Sequence, residues 1–202
     1  MVPQKTYQTV WKLLPALAAG IFIGAAVFDA LPHSAAMFGW RETLILTAVG
    51  ATLWWLQKTV LDLLKKPSMP PLVATALWLH SVVEGFVTGI AFGVSPAAGT
   101  LVLIGMILHL LPEFFAAVAL MKGAGAKNQT SVITTFIGYA VLFASFLVTY
   151  GNIFTMRLFM PTFIAISGGA FLFIGVQVFR KHASWPGLLA LLLGTVIAFF
   201  TA

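Results

Sequence analysis

The sequence predicts an all-α integral membrane protein, a seven-transmembrane-helix bundle with its N-terminus cytoplasmic and its C-terminus outside. Three observations carry this. Of 202 residues, 60% are hydrophobic and 8% charged, against about 25% charged in a soluble domain; mean hydropathy is +1.03. The apolar residues gather into seven segments, each near the roughly 20 residues that cross a bilayer core. Lys and Arg fall between these segments almost wholly on one side.

The first segment, 11–32, follows Lys5 and Lys12 and ends in FDALPH. Its start is signal-peptide-like, but the apolar run is longer than a usual h-region and ends at no clear small-x-small site. The second segment is 42–63. The third, 71–93, follows KKPSMPP (65–71), and the fourth, 97–121, follows VSP (94–96). Proline near a helix start fits because its missing N–H would lack an intrahelical partner there anyway. The fifth is 130–150. The sixth, 160–180, is expected to begin at the Met160-Pro161 break. The seventh, 186–202, opens within SWPG (184–187) and is short but uncharged.

Alternating the segments sorts the basic residues. Lys5, Lys12, Lys58, Lys65, Lys66, Lys122, Lys127, Arg180 and Lys181 share one face; Arg41 and Arg157 share the other. Nine against two accounts for all eleven and sets the orientation. One segment more or fewer would scramble the bias. The same distribution explains the net charge of +6 without nucleic acid, since the basic residues form no patch. The connections are short, so residues 1–202 read as one transmembrane domain. Gly20 and Gly24, and Gly85, Gly89 and Gly93, recur at helical spacing and allow close helix approach. With no cysteine, disulfides and thiolate metal sites are excluded.

The five acidic residues are Asp29, Glu42, Asp62, Glu84 and Glu113. Glu84 and Glu113 lie deep in apolar segments, where a lone carboxylate costs at least about 2.5 kcal/mol. Each has a histidine four residues earlier, His80 and His109, on the same helical face. The third and fourth segments are joined by a very short turn, so they run antiparallel as neighbours and hold the two pairs at similar depth. Two imidazoles and two carboxylates would then converge as a shell for Zn²⁺ or another first-row divalent cation. Pro112, inside the fourth segment, removes a backbone hydrogen bond beside His109, an irregularity tolerated where a cavity is lined. The plainer reading makes each pair an internal His–Glu contact that holds the bundle together. Asp29 and His33, also four apart, suggest a way in or out at the end of the first segment, or a solvated helix end. Ser81 and Gln177 are possible polar lining, or simple interhelical hydrogen bonds.

HSVVEGFVTGIAFG (80–93) resembles the fourth transmembrane helix of the ZIP (zinc/iron-regulated transporter-like) family, with its His-x-x-x-Glu-Gly pattern. HLLPEFFAAVAL (109–120) resembles the fifth, with x-x-x-Pro-Glu, and AAGIFIGAAVFDALPH (18–33) resembles the second. Beyond residue 130 the resemblance rests on segment order. It implies helices two to eight of an eight-helix fold, without the first, and a metal site midway across the membrane. His80, Glu84 and Glu113 match the family's main ligands, and His109 a position that often ligates. Where the family's second metal uses Asn and Asp or Asn, this chain has Ser81 and Leu110, which implies one ion rather than two.

The expected function is therefore transport of a divalent cation, Zn²⁺ foremost, through a mononuclear His/Glu site. Two alternatives stand beside it: a seven-helix intramembrane metal hydrolase, for which His-Glu-x-x-His is lacking, and a metal-binding membrane protein that does not transport. The expected partners are the metal ion, the lipid bilayer and a second copy of the chain. The compact loops and absent cysteines suggest a bacterial or archaeal inner membrane.

Overall fold

The computed structural model describes the backbone of residues 4–201 and the side chains of 13–107, 110–152 and 159–200. Every regular element among the described residues is helical: α1 (Gln4–Gly24), a π-helical turn (Ala25–Ala30), α2 (Leu31–Phe38), α3 (Trp40–Leu63), α4 (Met69–Val94), α5 (Pro96–Gly123), α6 (Asn128–Gly151), α7 (Ile153–Lys181) and α8 (Trp185–Thr201). Six stretches are long and apolar enough to cross a membrane: Leu13–Phe38, Trp40–Leu63, Met69–Val94, Pro96–Gly123, Asn128–Gly151 and Phe159–Lys181. The last apolar helix, α8, has 17 residues and is shorter.

Two expected boundaries need correction. The first segment does not stop at residue 32. Helix continues from α1 through the π turn into α2 and ends only at Gly39, whose φ of 89° and ψ of 160° suit glycine almost alone. Pro32 explains the π turn. A proline ring inside a helix clashes with the carbonyl four residues back, and a wider turn relieves that clash. At the end of the turn the Leu31 N–H reaches five residues back, to the Ala26 carbonyl.

The second correction concerns the sixth segment. Its helix starts at Ile153, and Pro161 sits inside it. The chain breaks instead at Asn152, whose Nδ2 donates to the Val148 carbonyl (3.1 Å) and satisfies the end of α6. The helix runs on through Pro161, and a hydroxyl from α2 reaches the backbone there. The buried Ser34 hydroxyl on α2 donates to the Pro161 carbonyl (3.0 Å). Thr43 Oγ1 lies 3.0 Å from Ser34 Oγ and is left as the donor of that pair. By contrast α5 runs through Pro112 unbroken.

Glycine sets the closest helix approaches. A methyl group at Gly20 would lie 2.0 Å from the Leu191 carbonyl oxygen, and one at Gly194 would lie 2.1 Å from that of Leu17, so α1 and α8 touch backbone to backbone. Gly50 and Gly169 lock α3 to α7 in the same reciprocal way. Two indoles add cross-helix hydrogen bonds: Trp54 donates to the Leu72 carbonyl (3.0 Å) and Trp78 to the Thr134 carbonyl (3.0 Å). The core lies where α1, α4, α5 and α7 meet, around Phe22, Leu72, Ala117, Phe171 and Ile174. Phe22 and Phe171 stack there at 4.5 Å. α3 and α6 are the outer helices and leave most of their apolar surface exposed, as helices facing lipid would.

Candidate metal centre

Just above this core, α4 turns His80 and Glu84 inward on one face. Both are buried, at 2% and 6% exposure, and Glu113 of α5 reaches the same place at 3%. His80 Nε2 lies 3.4 Å from Glu84 Oε1 and 3.4 Å from Glu113 Oε2. The short α4–α5 connection positions them: Ser95 caps α5 by accepting from the Ala98 N–H (3.1 Å), and the two helices run antiparallel.

The other face of the imidazole is held by α7. Its Nδ1 lies 3.3 Å from Ser167 Oγ, and the ring leans on Phe171 with centroids 4.9 Å apart. Ser167 is fully buried. If Nδ1 carries the proton that Ser167 accepts, Nε2 presents a lone pair toward the carboxylates.

The π turn supplies another acid. Asp29, His80 and Glu84 each offer a ligand atom within 4.8 Å of the others. Asp29 Oδ1 is also 3.0 Å from His33 Nδ1. His33 is largely exposed, with 64% of its side chain accessible against 20% for Asp29. These residues line one cavity of about 200 Å³ together with Met106, Gly105 and Ile164. The polar wall therefore runs from an exposed imidazole inward to a buried one.

Three of the four expected ligands, His80, Glu84 and Glu113, thus come together. The fourth, His109, lies on α5, and its side chain is outside the described residues. Ser81 and Gln177, expected either as polar lining or as interhelical hydrogen-bonding groups, are not on the wall of this cavity. Ser81 is buried but faces a separate pocket of about 10 Å³ with Leu110, Thr135 and Tyr139, because one residue along a helix turns the side chain about 100° away from His80. Gln177 is half-buried on α7 and lines neither cavity. It stands ten residues, or about 15 Å, from Ser167 along the helix.

Sequence reasoning missed Ser167 and understated Asp29. A lone serine in AISGGAF was an available signal for a polar contact in an apolar helix. Asp29 carried the stronger signal of any carboxylate at membrane depth, but strict helical spacing places it at a segment end rather than beside His80. Two carboxylates and an imidazole are hard or borderline donors, and the Met106 thioether on the same cavity wall is a soft one. No protein-family model matches the chain, and no curated protein does either.

Proposed function

We propose that the chain transports a divalent cation, Zn²⁺ foremost, across a membrane through a single site built on His80, Glu84 and Glu113. Asp29 lies beside the site, and His109 belongs to the proposed set. The observation that carries this reading is the pair of 3.4 Å separations at His80 Nε2. A tetrahedral ion with bonds of about 2.0–2.1 Å holds its ligand atoms about 3.3–3.4 Å apart. A charged N–H···O hydrogen bond prefers about 2.7–2.9 Å. The spacing thus suits ligands around a cation better than an internal ion pair. Asp29 would need to close by at most about 1.4 Å, the difference between 4.8 and 3.4 Å, to join them.

In this reading the ion arrives past His33 and Asp29, sheds water, and exchanges it for carboxylates that offset its desolvation. Release must also be possible. The donors come from two sets of helices, one of α4, α5 and α6, which pack on one another, and one of α1, α3, α7 and α8, in which α1 packs on α7 and α8 and α3 packs on α7; the two sets also meet along α1–α5 and α4–α7. His80, Glu84 and Glu113 belong to the first, and Asp29 to the second. Displacement of one group against the other would part Asp29 from the rest and open the site to the opposite face.

The wider frame is the ZIP-like one. Membership in that family is proposed from the motifs around His80, Glu84 and Glu113 and from the helix order. With α8 counted as a seventh span, the nine-to-two charge bias puts the N-terminus in the cytoplasm and the C-terminus outside. At about 1.5 Å per residue α8 reaches roughly 25 Å, a modest mismatch that local thinning accommodates. The hydrolase alternative gains less support, because the serine that touches His80 is fully buried and is not part of the wall that carries Asp29, His80 and Glu84. An ester would have no path to it.

Purified protein in liposomes, loaded with a Zn²⁺-sensitive dye, tests the proposal. Glu113→Gln should lower flux by roughly tenfold or more, and unchanged flux removes Glu113 from the mechanism. Calorimetry on the parent and His80→Ala separates binding from structure: a parent with no Zn²⁺ affinity leaves only the ion-pair reading.

A further inference from the structure

Gly105, in the middle of α5, differs from the glycines that hold the bundle together. At Gly20, Gly50, Gly85, Gly169 and Gly194 a methyl group would lie 2.0–2.4 Å from a neighbouring helix's carbonyl oxygen, so glycine there is what lets two helices touch. At Gly105 a methyl group would meet nothing within 4 Å. Gly125 and Gly151 are equally open, but they stand where helices end. Glycine inside a helix costs about 1 kcal/mol relative to alanine, and at Gly105 no close approach offsets that cost.

Gly105 is exposed and lies on the wall of the cavity, at its open side, with Asp29, His80 and Glu84 on the same wall. Its volume of about 200 Å³ is many times the roughly 10–15 Å³ that a single water needs, so several waters fit in it at once. A small divalent cation holds about six ligands in its inner shell. A leucine side chain fills on the order of 100 Å³, since deleting one from a core opens voids of up to about 150 Å³.

We infer that Gly105 sets the free width of this cavity, so that a divalent cation reaches His80 and Glu84 with most of its inner-shell water still attached. The inference rests on the metal reading above. A side chain at residue 105 displaces waters it cannot replace as hydrogen-bond partners. The ion would then lose its shell at the mouth, before any buried carboxylate compensates. Gly105 is in this sense a size-determining residue, and alanine and leucine should behave differently there.

The test uses the full chain in liposomes. Zn²⁺ flux should fall with side-chain size at residue 105, slightly for Gly105→Ala and by about tenfold for Gly105→Leu, the latter corresponding to about 1.4 kcal/mol. Because the chain has no cysteine, Gly105→Cys gives a single thiol and a readout apart from transport. A membrane-impermeant cationic methanethiosulfonate should form a mixed disulfide with it, releasing sulfinate. Zn²⁺ should slow that reaction, and Glu84→Gln in the same chain should abolish the slowing. A parent that conducts Zn²⁺ while Gly105→Leu conducts equally well, or while the thiol stays unmodified, overturns the inference and leaves the metal reading standing. A parent that neither binds nor conducts Zn²⁺ removes the metal reading, and the inference with it.

Discussion

Ser167→Ala tests whether α7 orients the proposed ligand. Ser167 Oγ lies 3.3 Å from His80 Nδ1, and His80 is 2% exposed, so bulk water has little room to replace the lost hydroxyl. A partner on the far nitrogen of a metal-binding imidazole fixes its tautomer and orientation, and removing one typically costs 10–100-fold in affinity. The 3.3 Å contact is long for a hydrogen bond, which places the expected loss at the lower end. Zn²⁺ affinity should therefore weaken by about tenfold, or about 1.4 kcal/mol. The assay is competition against a chelating dye with purified protein, with thermal unfolding as the check on folding. The van der Waals hold of Phe171 on the ring remains in the variant, so His80→Ala should lose more. A Ser167→Ala dissociation constant within about twofold of the parent, beside a His80→Ala variant that does not bind, would refute the argument that this contact matters to a metal ligand.

Asp29→Asn should weaken Zn²⁺ binding less than Glu84→Gln, because Asp29 is the more exposed and stands farther from ligand spacing; calorimetry that ranks them the other way makes the π turn the principal donor. Gly85→Ala would put a methyl group 2.4 Å from the Leu142 carbonyl oxygen and force α4 and α6 apart. Overpacking of this kind costs about 1–3 kcal/mol, read as a fall of a few degrees or more in unfolding temperature, and no fall would mean the two helices are not so closely seated. Gly39→Ala strains a backbone at φ 89° by about 1–3 kcal/mol, and the same thermal assay checks it.

Much of the fold was legible because lipid imposes simple rules. Runs such as LVLIGMIL read as membrane helix from hydropathy alone, and the turn at 94–96 fixed α4 and α5 as neighbours. The meeting of His80, Glu84 and Glu113 followed from the cost of buried charge. Helix ends were harder. Proline marked the start of α4 and α5 but not of α7, where Pro161 lies inside the helix and its carbonyl accepts from Ser34, more than a hundred residues earlier. No local pattern reveals such a partner. Asp29 escaped for a related reason: helical periodicity assumes 3.6 residues per turn, and the stretch from Ala25 to Ala30 does not obey it. Ser81 and Gln177 read either way from the sequence, since polarity in a membrane helix marks a contact but not which one.

The wide turn before Pro32 makes one part of the polar cluster depend on chain length. Relative to a regular helix, such a turn amounts to about one inserted residue, and one residue is worth about 100° of rotation. The turn therefore takes up one extra residue while the helix on either side keeps its register with its neighbours, and that extra residue is what sets Asp29 apart from strict helical spacing.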